Sequence, residues 1–313
     1  MKSIWSAWSK NQLDRLFSSI LLTFCLVIIL IVGTIVYELV SRSALAILHF
    51  GFHFLTGQVW DPVHQVFGAL PFIYGTVVSS VIGVILASIV GIATAILLTQ
   101  YGSWRWLDLI SILVELLAAI PSVVYGLWGI FILAPWLRQS VEPILNRGLG
   151  FLPLFQGQGY GVGMLAAGII LAVMILPTIT AVVRDVMQAV PNELKDGALA
   201  LGATKQEMVS LAILPQAKRG ILGAIMLALG RALGETMAVT MVIGNRPQIA
   251  ASLFAPGYSM ASVIANEFTE ATSKLYESSL YEIGLVLFLL TVVFYSLARL
   301  LVWRIRLQMR VNA

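Results

Sequence analysis

Charged side chains are scarce in this 313-residue chain: Asp, Glu, Lys and Arg make up 11% of it, where a soluble protein carries about a quarter. A water-soluble fold of this length is therefore excluded, and an integral membrane protein is expected. Cysteine is nearly absent. Cys25 stands alone, which excludes an intrachain disulfide and a thiolate metal site. Histidine is rare too. His49 and His53, spaced four apart with Asp61 nearby, have the spacing of a metal pair. Amid Phe50, Phe52, Phe54 and Trp60 they and His64 read better as interfacial polar aromatics, so no metal is expected. A G-x-x-x-x-G-K-[ST] phosphate loop is missing, so any ATP and Mg must be used by another chain. No nucleophile–base–orienter set is present, and the chain does not read as an enzyme. It contains no clear repeat, no low-complexity tract and no soluble domain large enough to capture a solute, so residues 1–313 read as one membrane domain.

What is plentiful is apolar: 59% of residues are hydrophobic and mean hydropathy is +0.94. Six apolar runs, at 16–39, 70–98, 108–136, 160–186, 218–244 and 281–303, are each long enough for the ~20 residues a bilayer crossing needs. The expected fold class is an all-α integral membrane protein with six transmembrane helices. The first run follows Lys2, Lys10 and Arg15 but is too long for a signal-peptide core, and no A-x-A site follows, so it reads as a retained span. With the N-terminus inside, thirteen Lys and Arg fall on the cytoplasmic side and five outside, which predicts both termini in the cytoplasm. The net charge of +4 fits loop charges that set topology and gives no reason to expect nucleic acid. In the inner loop 99–107, Trp104 and Trp106 suit the membrane interface.

Within the spans, Ser79, Gly83, Ala87, Gly91 and Ala95 form a ladder of small residues at a spacing of four, which predicts close packing of the second span. Gly230, Gly234 and Ala238 form a shorter ladder in the fifth. Beside it sit Arg231 and Glu235, the two charges of "GRALGETMAV". At i,i+4 on one helix they are expected to pair and turn inward, which lowers the cost of a charge in the membrane. Intramembrane charges mark transport paths, and a guanidinium suits an oxyanion. A purely structural ion pair is the competing reading. Pro121 in "AAIPS" removes a helix bond and predicts a kink or break near 119–122. A break would present backbone N–H groups and the Ser122 hydroxyl to an anion, and a passive kink remains the alternative. Glu115 reads either as a partner of Arg231 or as a solvated group near the cytoplasmic boundary.

The longest cytoplasmic segment, 187–217, predicts a helix opening at Pro191, a left-handed turn at Gly202, a capping box from Thr204 to Glu207, and a second helix that stops at Pro215. Asp196-Gly197-Ala198, three residues, Gly202, and eleven residues to Leu214-Pro215 resemble the EAA loop of ABC importer permeases. Asp196 stands for its Glu, Gly197 for its first Ala and Ala212 for its Ile. "FGALPFIYGT", "ELLAAIPSVVYGLWGIFILAP", "AVVRDV" and "ALGRALGETMAVTMVIGN" occur in the order of the PstC-type permeases of bacterial phosphate ABC importers, and the chain resembles that family from about residue 60 onward. The first 60 residues share mainly hydropathy with it.

The resemblance implies a type I importer fold in the bacterial inner membrane and inward movement of inorganic phosphate. It also implies three kinds of partner: a PstA-like second permease, two ATPase subunits docked on Asp196, Ala198, Gly202, Leu214 and Pro215, and an extracytoplasmic phosphate-binding protein. By the same resemblance Arg231 and Glu235 belong to the transport path. A permease for sulfate or molybdate, or a secondary anion carrier or channel, is the alternative.

Overall fold

The computed structural model describes the backbone of residues 2–101 and 105–311, and the side chains of 14–101, 106–300 and 303. Trp104 lies outside the described residues, and Trp106 is exposed. The chain is helical almost throughout. Helix α1 (Lys2–Phe50) leads through a short α2 (His53–Thr56) to two tiny antiparallel strands, β1 (Trp60–Asp61) and β2 (Val66–Phe67). Then follow α3 (Leu70–Gln100), α4 (Arg105–Ala119), α5 (Ser122–Leu149), α6 (Met164–Gln188), α7 (Asn192–Ala200), α8 (Lys205–Gly234), α9 (Met237–Val242), α10 (Met260–Glu267) and α11 (Lys274–Val311). Among the described residues five helices are long and apolar enough to cross a membrane, and up to six spans result if the bent pair α4–α5 counts as one.

The interior is built on α6, whose Ile170, Ile175, Ile179 and Val183 are fully buried. The small-residue ladder of α3 lies against it along its length. All five members are buried, and a methyl at Gly83 would stand 2.7 Å from Leu171 Cβ and 3.2 Å from the Gly168 carbonyl. Close helix approach of this kind is what small residues at a spacing of four permit. The fifth-span ladder does not repeat this. Gly230 lies against the Tyr295 ring of α11, Gly234 faces open space, and Ala238 belongs to a separate helix, because the helix ends at Gly234.

A second cluster closes the opposite end of the bundle. Trp60 stacks edge-on against Phe67 (4.7 Å) and Phe72 (4.9 Å). Glu267 accepts hydrogen bonds from Trp60 Nε1 (2.7 Å) and Tyr276 Oη (2.6 Å), tying the strand pair to α10 and α11. His64 bonds Asp61 at 2.6 Å in the turn, and His49 packs on Phe50. No group of three metal-ligating side chains occurs among the described residues.

Helix ends follow local chemistry, with corrections. Gly202 takes φ +88°, and the Ala203 and Gly202 N–H groups reach the carbonyls of Ala198 and Leu199, the paired bonds that close a helix on a left-handed residue. The capping box forms: Thr204 Oγ1 accepts from the Glu207 N–H, and Glu207 accepts from the Thr204 N–H at 2.8 Å. Pro191 sits one residue before α7 as its cap. The predicted stop at Pro215 does not occur; Lys205–Gly234 is one helix of 30 residues. The physical reason lies upstream, where Met208–Ile213 widens into a π-helical turn. A proline clashes with the carbonyl four residues earlier and lacks an N–H, and the wider turn relieves both. The same device recurs in α5. π turns at Gly129–Leu133 and Leu137–Val141 each end two residues before a proline, Pro135 and Pro143.

Candidate transport site

Two spans are interrupted, and the interruptions lie side by side. α4 and α5 meet at an angle of 100° across Ile120 and Pro121. Pro121 has no N–H for the Leu117 carbonyl, and Tyr125 Oη takes that role at 2.6 Å, so a donor from beyond the break seals it. Ser122 is the first residue of α5 and is half-buried. The second interruption is at Glu235 and Thr236. Glu235 is extended (ψ 124°), and α9 restarts at Met237. α5 and α9 then pack closely, with Gly126 against Ala238 and Met241. Two half-helix starts thus come together inside the bundle. Such starts carry free N–H groups and a partial positive charge.

Arg231 is in the last turn of α8, just before the second break. Its side chain is exposed on this chain, and its Nη1 lies 3.4 Å from Thr178 Oγ1 of α6. The expected Arg231–Glu235 ion pair is absent among the described residues. The helix that would have set the two side chains one turn apart has already ended. Glu235 Oε1 instead accepts from the Ala238 N–H at 3.3 Å, capping the start of α9. The guanidinium is thereby left without a carboxylate, presented at the break.

Glu115 is not the partner of Arg231 either. It is solvated, 71% exposed, and its Oε1 stands 3.7 Å from Arg184 Nη1 of α6. Arg184 donates to Ser111 Oγ at 2.7 Å. Thr178, Tyr125 and Arg184 were not singled out from the sequence. For Tyr125 a signal existed, because a hydroxyl four residues after a proline can reach the carbonyl that the proline orphans. In the segment joining α6 to α8, Asp196 and Ala198 lie on α7, Gly202 forms the turn, and Leu214 and Pro215 lie within α8. Leu201 (91%) and Leu211 (75%) are exposed there, which leaves an apolar face uncovered.

The fold and the site together define a multi-pass membrane protein whose two interrupted spans pack together, with a helical loop pair joining α6 to α8. Comparison with known proteins takes this further. The family described as "Binding-protein-dependent transport system inner membrane component" matches residues 83–307. The "Phosphate transport system permease protein PstC" of Mesorhizobium japonicum is 44% identical over 296 residues, covering 93% of this chain and 90% of that one. Its namesake in Haemophilus influenzae is 42% identical over 304 residues, 96% of each. Among solved structures, an inward-facing conformation of the MetNI methionine ABC transporter is similar in fold, with a TM-score of 0.57 at 15% identity, covering 79% of this chain and 99% of that one. The chain belongs to the inner membrane components of binding-protein-dependent transport systems, and within them to the PstC-type permeases.

Proposed function

We propose that this chain is the permease subunit of an ATP-driven importer that moves inorganic phosphate inward across the bacterial inner membrane by alternating access. It would cross the membrane six times, α4 and α5 forming one bent span, with both termini in the cytoplasm. One observation carries the site: among the described residues Arg231 stands without a carboxylate partner, in the last turn before the second break. A guanidinium suits a phosphate oxyanion, and the uncapped N–H groups at the start of α5 add donors in the same bundle. Glu235 fixes the start of α9 and repels an anion that lingers, and Glu115 holds Arg184 on the inner side of the path.

The exposed face of Arg231 implies a second permease, PstA-like, completing the path across a heterodimer interface. An extracytoplasmic binding protein delivers the substrate. Two ATPase subunits dock where Leu201 and Leu211 are uncovered, on the loop of Asp196, Ala198, Gly202, Leu214 and Pro215. From the capping box to Arg231, α8 is unbroken, a rod of about 39 Å at 1.5 Å per residue. Closure of the ATPases is thus transmitted to the guanidinium. An exposed docking loop favours this reading over a secondary carrier or a channel, neither of which needs one. A competition uptake assay with phosphate, arsenate, sulfate and molybdate tests the substrate. Inhibition by arsenate alone supports phosphate, and equal inhibition by sulfate or molybdate overturns it.

A further inference from the structure

Away from the transport site, α8 and α11 leave a groove of about 480 Å³ between them, lined by Gly223 and Met226 of α8 and by Phe288, Thr291, Tyr295 and Arg299 of α11. The walls are apolar except toward one end. Tyr295 lies against Gly230, while Arg299, one turn further along α11, reaches the Gly223–Met226 stretch nearer the start of α8. Arg219 continues that stripe, four residues before Gly223 and seven before Met226, positions that share a helix face. It is half-buried, and its Nε is buried without a hydrogen-bond partner among the described residues. Lys218 beside it is exposed and adds to the positive charge.

We propose that this groove holds an anionic phospholipid of the cytoplasmic leaflet. One acyl chain lies along Met226 and Phe288, and the phosphate is held by Arg299 and Arg219. A trough apolar along its length and cationic at the membrane-surface end has the polarity profile of a phospholipid, and guanidinium forks suit its phosphate. The leaflet assignment rests on the orientation proposed above. The lipid wedges α8 against α11 and so steadies the rod that carries Arg231.

The test uses the whole importer complex, purified gently and analysed by native mass spectrometry for retained phosphatidylglycerol. The Arg219→Gln/Arg299→Gln double variant is expected to lower retention about tenfold or more, the loss of charged hydrogen bonds to one phosphate. Gly223→Leu is expected to abolish retention with the fold intact, since a Cβ at Gly223 meets nothing within 4 Å and the side chain fills the groove. Unchanged retention in both overturns the proposal. Loss of the second permease from the Gly223→Leu complex overturns it in favour of a protein interface. Displacement of the lipid by inorganic phosphate identifies a free-anion site and overturns it too. A complex that retains lipid as expected but transports no phosphate leaves the lipid site standing and refutes the transport reading alone.

Discussion

Removing one oxygen atom tests how the break in the third span is held. Tyr125→Phe deletes the hydroxyl that donates 2.6 Å to the Leu117 carbonyl. That carbonyl is left with the Ile120 N–H at 3.4 Å, too long to replace it fully. A buried acceptor deprived of its partner costs roughly 1–3 kcal/mol, and the residual long bond puts the expected loss near about 1–2 kcal/mol. Denaturant unfolding of the purified complex, followed by tryptophan fluorescence, measures it. The decisive comparison is a cycle with Pro121→Ala. Alanine restores an N–H where the proline has none, giving Leu117 another donor, so the same Tyr125→Phe change is expected to cost less than about 0.5 kcal/mol there. Equal costs in the two backgrounds, or no cost in the parent, would refute the claim that Tyr125 seals the break.

Gly83→Ala is expected to destabilise the protein by about 1–3 kcal/mol, because its methyl meets Leu171 Cβ and the Gly168 carbonyl on a rigid neighbouring helix. Gly223→Ala, in open space, is expected to be neutral or stabilising in the same thermal melts, and equal losses would contradict the packing account. Thr204→Ala removes the cap of α8 and is expected to cost about 1 kcal/mol and to lower transport-coupled ATPase activity; unaffected coupling would separate the cap from transmission. The Asp61 carboxyl is held below its ordinary value chiefly by its hydrogen bond with His64. Its stabilising share is therefore present above the unfolded value and lost as pH falls through the folded one. Carbon-detected NMR titration should show the Asp61 midpoint rise in His64→Ala, and an unmoved midpoint would refute the pairing.

Much of this architecture was legible in the residues. Proline 121 announced the broken span, the four-residue ladder from Ser79 to Ala95 announced the α3–α6 seam, and Gly202 with Thr204 and Glu207 announced the turn and cap joining α6 to α8. What failed did so for definable reasons. Hydropathy runs unbroken through 218–244, so the end of α8 at Gly234 left no trace in a window average. The only local sign was a carboxylate three residues before Ala238, able to cap a new helix. The stop expected at Pro215 did not occur because a π turn upstream absorbs the proline, and local sequence does not specify such a turn. The pairing of Arg231 with Glu235 did not form, and Glu115 took the solvated position, one of the two readings its sequence left open. Side-chain pairing in a bundle is set by which helices touch, and α6 supplies both Thr178 and Arg184.

In the proposed function Arg231, at the second break, contacts the transported anion. Uptake of radiolabelled phosphate by proteoliposomes holding the complete importer, compared for parent and Arg231→Gln at equal complex content, tests it most directly. Arg231→Gln is expected to assemble normally and to transport essentially nothing. Parent-like uptake per assembled complex, with any deficit traced to poor assembly, would contradict it and return Arg231 to a structural role.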